Sequence, residues 1–259
     1  MKSIIVASDL SNRSRAALTR SVTLATSVGA KLQVVHVVDG AMPTETAAKV
    51  KQDAETKLLE QVKDDVKGRI LDHEITVLIG DPIEEITAIL QKSDAELLVV
   101  GIHRRRVFMD QIRETTMEHL VRSSRLPVLL VVQHAEQDYT HVLGGVDLSS
   151  VCAGALRKAH QIAPNAKWTL FHAHEVSFRQ EAERDYTTWK ALSDLPPNLP
   201  MPIFVEARAG DAVHDLMKKG DYDLLVIGAH TRSNIGRYVL GGFTSGLVRK
   251  PPCDLLVAR

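Results

Sequence analysis

Short, unbroken apolar runs alternate along this chain with longer stretches in which apolar positions recur every three or four residues. Ile4–Ser8 is a β-branched run suited to a strand buried on both faces. Ser11 then caps a helix reaching about Val28, with Ala17, Leu18, Ala25 and Val28 near helical spacing and Gly29 as its stop. Leu32–Val38 reads as a second buried strand. From Thr44 to Val66, apolar residues at Ala47, Val50, Ala54, Leu58, Val62 and Val66 keep close to the 3.6-residue period of a helix. Ile75–Ile79 alternates as a third strand. Asp81-Pro82-Ile83-Glu84 opens the next helix, with Asp as cap, Pro at the first position and Glu as capping-box partner. Glu96–Val100 and Val128–Val132 are two further strands around a helix near Thr115–Ser123.

The same order then repeats. Ile4-Ile-Val-Ala-Ser-Asp9-Leu-Ser11 is echoed by Val142-Leu-Gly-Gly-Val-Asp147-Leu-Ser149, 138 residues on. Val35-His36-Val37 returns as Phe171-His172-Ala173, Gly80-Asp81 as Gly210-Asp211, and Leu97–His103 as Leu224–His230, at offsets of 136, 130 and 127. Chance matches would not keep their order while the offset shrinks, so two homologous domains are expected, 1–133 and 139–259, with a polar joint at Gln133–Asp138. Five strands alternating with four helices in each copy imply parallel pairing through right-handed crossovers: an α/β fold of two doubly wound domains, each a five-stranded parallel sheet flanked by helices. The proline-rich run Pro196–Pro202 replaces the first copy's compact turn before strand three and is a loop.

Composition narrows the partners. Lys plus Arg and Asp plus Glu number 32 each, so bulk charge builds neither a nucleic-acid nor a membrane surface. Aromatic residues, at 4%, are too sparse to stack single-stranded nucleic acid. No apolar run approaches the roughly 18–20 residues of a membrane span. The N-terminal run meets Asp9 too early for a secretory leader. Cys152 and Cys253 fit no metal spacing and read as reduced packing thiols of a cytoplasmic protein.

In a doubly wound sheet, ligands bind beyond the C-terminal strand ends, where the strand order reverses. The residues there are Asp9, Val37 and Gly101 onward in the first copy, and Asp147, Ala173 and Gly228 onward in the second. A strand ending in Asp-Leu-Ser, a second carrying a His, and a fourth followed by a glycine-bearing loop resemble the universal stress protein family. Its ATP-binding members carry G-x2-G-x9-G-[S/T] after strand four. The corresponding positions in the second copy are Gly228, Thr231, Gly241 and Gly242; in the first they are Gly101, Arg104, Glu114 and Thr115. The resemblance implies that the carboxylate after strand one contacts the adenine or ribose side. It also implies that the backbone after strand two, at Val37 and Ala173, lines the base.

Glycines let backbone N–H groups approach phosphate, and a helix start favours an anion. Gly241-Gly242 keeps that start open, with Thr231 and Thr244 supplying hydroxyls, whereas Glu114 places a carboxylate where phosphate would lie. Asp9 and Asp147 have a second reading, in which Asp-Leu-Ser caps the following helix without any ligand. His36, His103, His172 and His230 recur at corresponding places without the acidic or cysteine partners of a metal site, and read as packing or loop hydrogen-bonding residues. Arg104–Arg106, with Arg113, Arg122 and Arg125, reads as a solvated or inter-domain salt-bridged face, with an anion site as the second reading.

The function this implies is a stress-response binding protein that holds ATP, with or without Mg, in its second domain and has no strong catalytic activity. The alternatives are an interaction module that binds no nucleotide and an ATP-pyrophosphatase-like enzyme. Gly144-Gly145-Val146-Asp147 approaches the latter's S-G-G-x-D-S loop, but Leu143 and Leu148 replace both hydroxyls. Single domains of the family pair, so the two domains are expected to pair within the chain about a pseudo-twofold, and two chains can form a homodimer. The fifth strands, Val128–Val132 and Leu255–Ala258, should lie near that axis, where neither is an exposed edge. Hydrogen exchange should find both strands protected, and finding both unprotected would contradict the pairing.

Overall fold

The structure is a computed structural model that describes residues 1–102, 116–229, 231–234 and 237–258. The chain divides into two compact units, Met1–Asp138 and Tyr139–Arg259. The first runs β1 (Ser3–Ala7), α1 (Asn12–Val28), β2 (Lys31–Asp39), α2 (Thr44–Val66), β3 (His73–Gly80), α3 (Pro82–Lys92), β4 (Leu97–Gly101), α4 (Thr116–Ser123) and β5 (Val128–Val131). Its strands pair in the order β3-β2-β1-β4-β5, all parallel. The central strands are sealed: Ile4, Ile5, Val6, Leu97, Leu98 and Val99 expose nothing to solvent. This is the burial that continuous β-branched and aliphatic runs require.

The caps read at Ser11, Gly29 and Asp81 form as expected. The Ser11 hydroxyl accepts the Ser14 amide at the start of α1, and Gly29 ends the helix at φ 67°, a left-handed conformation that costs glycine little. At α3 the Asp81 carboxylate accepts the amides of Ile83 and Glu84 at 2.9 and 3.0 Å. One face of α1 is unexpectedly polar. Arg15 pairs both guanidinium nitrogens with the buried Asp65 of α2, and Thr19 donates to the same carboxylate at 3.0 Å. Beside this seam α1 holds the segment foreseen as a joint. Arg20 donates to the Gln137 carbonyl at 2.5 Å, Ser27 to Asp138 at 2.8 Å, and Lys67 pairs with Glu136 at 2.5 Å. Residues 134–138 are therefore part of the first unit, five residues beyond the boundary drawn from sequence.

The second unit runs β6 (His141–Gly145), α5 (Ser150–Ile162), β7 (Lys167–His174), α6 (Arg179–Leu192), β8 (Ile203–Glu206), α7 (Ala209–Lys219), β9 (Leu224–Gly228), β10 (Thr231–Asn234), β11 (Arg237–Leu240), α8 (Gly242–Arg249) and β12 (Asp254–Ala258). Its sheet has the order β8-β7-β6-β9-β12, again all parallel, so both units are the doubly wound α/β fold expected. Two features differ from the repeat. Gly210-Asp211 lies inside the first turn of α7, not at a cap like Gly80-Asp81, because β8 has half the length of β3 and the helix begins sooner. The segment after β9 is not an open loop but an antiparallel hairpin, in which Thr231 pairs with Leu240 and Asn234 with Arg237.

Both units bring the end of the fourth sheet strand against the first helix so closely that a side chain has no room. A Cβ on Gly101 would stand 2.3 Å from the Arg13 carbonyl oxygen, and one on Gly228 would stand 2.9 Å from the Cys152 amide nitrogen. The obstructing atoms are backbone and cannot rotate away. Gly101→Ala should therefore destabilise the protein by about 3 kcal/mol and Gly228→Ala by about 1 kcal/mol, the span of overpacking costs. Urea unfolding of the two variants checks both the sign and the order.

Candidate functional site

The two sheets reverse their order at β1 and at β6, and the residues predicted from sequence gather at those C-terminal ends. In the second unit, Gly145 is level with Phe171 and Gly144 with Val226. Extending that register by two or three residues sets Asp147 level with Ala173 and Ala229, one residue past Gly228. In the first unit, Ala7 is level with Val35 and Val100, which sets Asp9 level with Val37 and Ile102. Strand order alone thus assembles the carboxylate, the second-strand backbone and the fourth-strand glycine along one edge.

Val37 and Ala173 are not beyond their strands, as read from sequence, but inside them, since β2 continues to Asp39 and β7 to His174. Their main-chain groups nonetheless face the crevice. The Val35 carbonyl accepts from the Ser8 amide and the Phe171 carbonyl from the Val146 amide, both at 2.8 Å. In a parallel strand the main-chain groups of alternate residues face the same neighbour. Val37 and Ala173 therefore point toward β1 and β6 at a level those strands no longer reach, leaving an amide edge available to a planar ligand.

The corner after the first strand of each unit is built alike. Asp9 Oδ1 accepts the Ser11 amide at 3.0 Å and the Ser11 hydroxyl; Asp147 Oδ1 accepts the Ser149 amide and hydroxyl at 3.0 and 2.6 Å. Ser11 and Ser149 in turn cap α1 and α5. The residue between, Leu10 or Leu148, is held at φ 61° or 62°, where a side chain is strained. Each aspartate thus orients the cap rather than being the cap, and both carboxylates remain exposed. Under the corner, His36 Nδ1 donates to the Ser8 carbonyl at 2.7 Å and His172 Nδ1 to the Val146 carbonyl at 2.8 Å, so the recurring histidines clamp the second strand to the corner.

The residues expected to face phosphate lie at the start of α8. Gly241 is its N-cap and makes no side-chain cap; Gly242 is its first residue; both are exposed, and a Cβ on either would meet nothing within 4 Å. Thr244 is buried at the third position of the helix, and Thr231 begins the hairpin. The hairpin escaped the sequence reading because Thr231–Leu240 carries no apolar period to announce it. Arg104, Glu114 and Thr115 of the first copy's loop lie outside the described residues, as do His103, Arg105, Arg106, Arg113 and His230. Cys152 and Cys253 are buried, which pushes each thiol up to about 12, with Asp147 adding to the effect at Cys152; neither is a nucleophile at neutral pH.

Burial raises the Asp9 carboxyl, but hydrogen bonds from Ser11 and Ser14 and the charge of Arg13 outweigh it and hold the group below its usual 3.8. A carboxyl depressed in the folded state adds stability that is complete above the unfolded value and is lost as pH falls through the folded one. Asp9→Asn, which keeps an acceptor oxygen for Ser11, should flatten the stability profile below about pH 4 relative to wild type. Urea unfolding between pH 6 and pH 2 measures this.

Comparison with known proteins agrees with this architecture. A sequence profile of the universal stress protein family matches residues 1–132 and 181–259. A universal stress protein from Archaeoglobus fulgidus DSM 4304 superposes over 99% of this chain and 98% of its own, with a TM-score of 0.78 at 14% identity. A functionally unknown protein from Pseudomonas aeruginosa PAO1 covers 99% of this chain and 92% of its own, with a TM-score of 0.67 at 19% identity. No protein of curated function matches the chain in sequence. At these identities the structural likeness is one of fold, while the profile match extends over most of the chain. With two copies of the doubly wound sheet and the family's profile matching segments of both, the chain belongs to the universal stress protein family as a tandem of two of its domains.

Proposed function

We propose that this protein is a stress-response binding module of the cytoplasm that takes an adenine nucleotide, ATP with or without Mg, in its second unit. The observation that carries the reading is the start of α8. Among the described residues no side chain caps its first turn, and a Cβ at Gly241 or Gly242 would meet nothing within 4 Å; the element order puts this helix start at the C-terminal end of the sheet, as it does Asp147 and Ala173. Unpaired helix N-terminal amides and the helix dipole suit a phosphate group. The main-chain edge at Ala173 suits a flat base with donor and acceptor atoms, and the exposed Asp147 carboxylate suits a ribose hydroxyl.

Gly228, the last residue of β9, does not bear on nucleotide binding. Close packing on α5 requires Gly228 whether or not a nucleotide binds, and the same packing requires Gly101 in the first unit. Thr244 is buried, so no phosphate contact is assigned to it. The ligand contacts are therefore assigned to Asp147, the Ala173 backbone, and the amides at Gly241 and Gly242. The reading includes no nucleophile and base pair, so any hydrolysis is slow and incidental. No helix among the described residues is long and apolar enough to cross a membrane.

Equilibrium dialysis against ATP, together with the small-molecule content of the purified and heat-denatured protein, tests the reading. ATP should bind one site per chain. Gly241→Val should abolish both binding and any turnover while the melting temperature changes little, because its side chain enters open space. Binding of ATP by Gly241→Val as tightly as by wild type would place the ligand elsewhere. Absence of nucleotide from wild type would favour a module that acts through partners alone.

A further inference from the structure

The two corners that look alike are braced differently. In the first unit the brace is local. Ser14 on α1 donates its hydroxyl to the Ser11 carbonyl at 3.0 Å and meets the Ser8 hydroxyl at 3.1 Å, so two small side chains of the same segment tie the corner together. The corresponding residues of the second unit are Cys152 and Val146, and neither can do this. The Cys152 thiol turns instead to the Gly145 carbonyl at 3.3 Å. The Ser149 carbonyl, equivalent to that of Ser11, receives its second donor from outside the corner: the indole N–H of Trp189, on α6, at 3.1 Å.

That bond matters more because α6 has little else to hold it. Of its residues Arg179–Leu192, only Ala182 and Tyr186 are buried. Tyr186 packs its ring against Trp189 and edge-on to Phe204, with centroids 5.9 and 6.1 Å apart. Phe204 in turn meets His172, the clamp beneath the corner. A continuous set of contacts thus runs from α6 to both sides of the corner that presents Asp147, and the Trp189 hydrogen bond is its polar member.

We propose that Trp189 is a positioning residue for the nucleotide site, holding the Asp147–Ser149 corner in its binding shape from α6, in place of the local hydroxyl brace of the first unit. This rests on the nucleotide reading above. It also makes α6 the element that responds when the corner is occupied, since a ligand pulling on Asp147 acts on α6 through the Ser149 carbonyl.

The test uses the full chain with Trp189→Phe, which keeps a smaller aromatic ring beside Tyr186 and removes the donor, and with Cys152→Ser, which restores the hydroxyl present at Ser14. In the ligand-free protein, Trp189→Phe should speed hydrogen exchange of the Ser149 and Cys152 amides, the two that bind Asp147 and Ser149 within the corner, by about fivefold. ATP affinity should weaken by a similar factor. Adding Cys152→Ser should return both quantities to within about twofold of wild type, a recovery that loss of generic helix packing would not show. Unchanged exchange in Trp189→Phe overturns the brace. Faster exchange with undiminished ATP affinity overturns its role in binding, as does failure of Cys152→Ser to restore affinity in a variant that melts normally. If wild type binds no ATP, the nucleotide reading and the positioning role fall together, and the exchange arm decides whether the brace exists without a ligand.

Discussion

In each half of the chain, a carboxylate that accepts both the amide and the hydroxyl of the serine two residues on holds a leucine in the left-handed region. That small hydrogen-bonded corner turns a sealed central strand directly into a capped helix, at Asp9–Ser11 and at Asp147–Ser149. Without it, Leu10 and Leu148 would have no compensation for their backbone strain, and the first helix could not start where it does. The close approach of that helix to Gly101 or Gly228 depends on the same starting point. So does the crevice, because a helix beginning any later would leave the strand ends without a wall.

The halves share this frame but fill it with different chemistry. Of all the Phe, Tyr and Trp residues, only Phe108 precedes Tyr139. The first unit packs α2 on its sheet with aliphatic residues such as Leu58 and Val62, and ties α1 to α2 through Arg15 and Asp65. The second packs α6 with Tyr186 and Phe204 and ties it to the corner through Trp189. A half-buried charged pair and an indole donor solve the same problem of fixing a helix beside the strand ends. They differ in consequence: the pair stiffens the helix layer of the first unit, whereas the indole links a thinly anchored helix to the corner itself.

The glycines of the loop motif have two physical settings that look identical in sequence. Gly101 and Gly228 are needed by packing, because backbone atoms of the first helix occupy the space of a Cβ. Gly241 and Gly242 meet nothing, adopt no positive φ, and so have no structural reason to be glycine in the ligand-free protein. The proposed nucleotide reading rests on the second pair, while the first carries information about the fold.

Much of this was legible in the sequence. Ser11, Gly29, Asp81 and the apolar runs marked the helix ends and strands almost to the residue, because those signals act through hydrogen bonds and solvent exclusion within a few neighbouring positions. The repeat of Asp-Leu-Ser and of the fourth strand disclosed two domains and the sheet edge along which the candidate residues lie. Tertiary structure alone decided the rest. It placed residues 134–138 on the first unit through Arg20 and Lys67, started α7 early enough to engulf Gly210-Asp211, folded Thr231–Leu240 into a hairpin, and brought Trp189 to Ser149. Each of these depends on groups far apart along the chain, or on a choice between loop and ribbon that side-chain pattern does not bias. Local sequence encodes the elements and their ends, whereas their long-range partners exist only once the sheet order has brought them together.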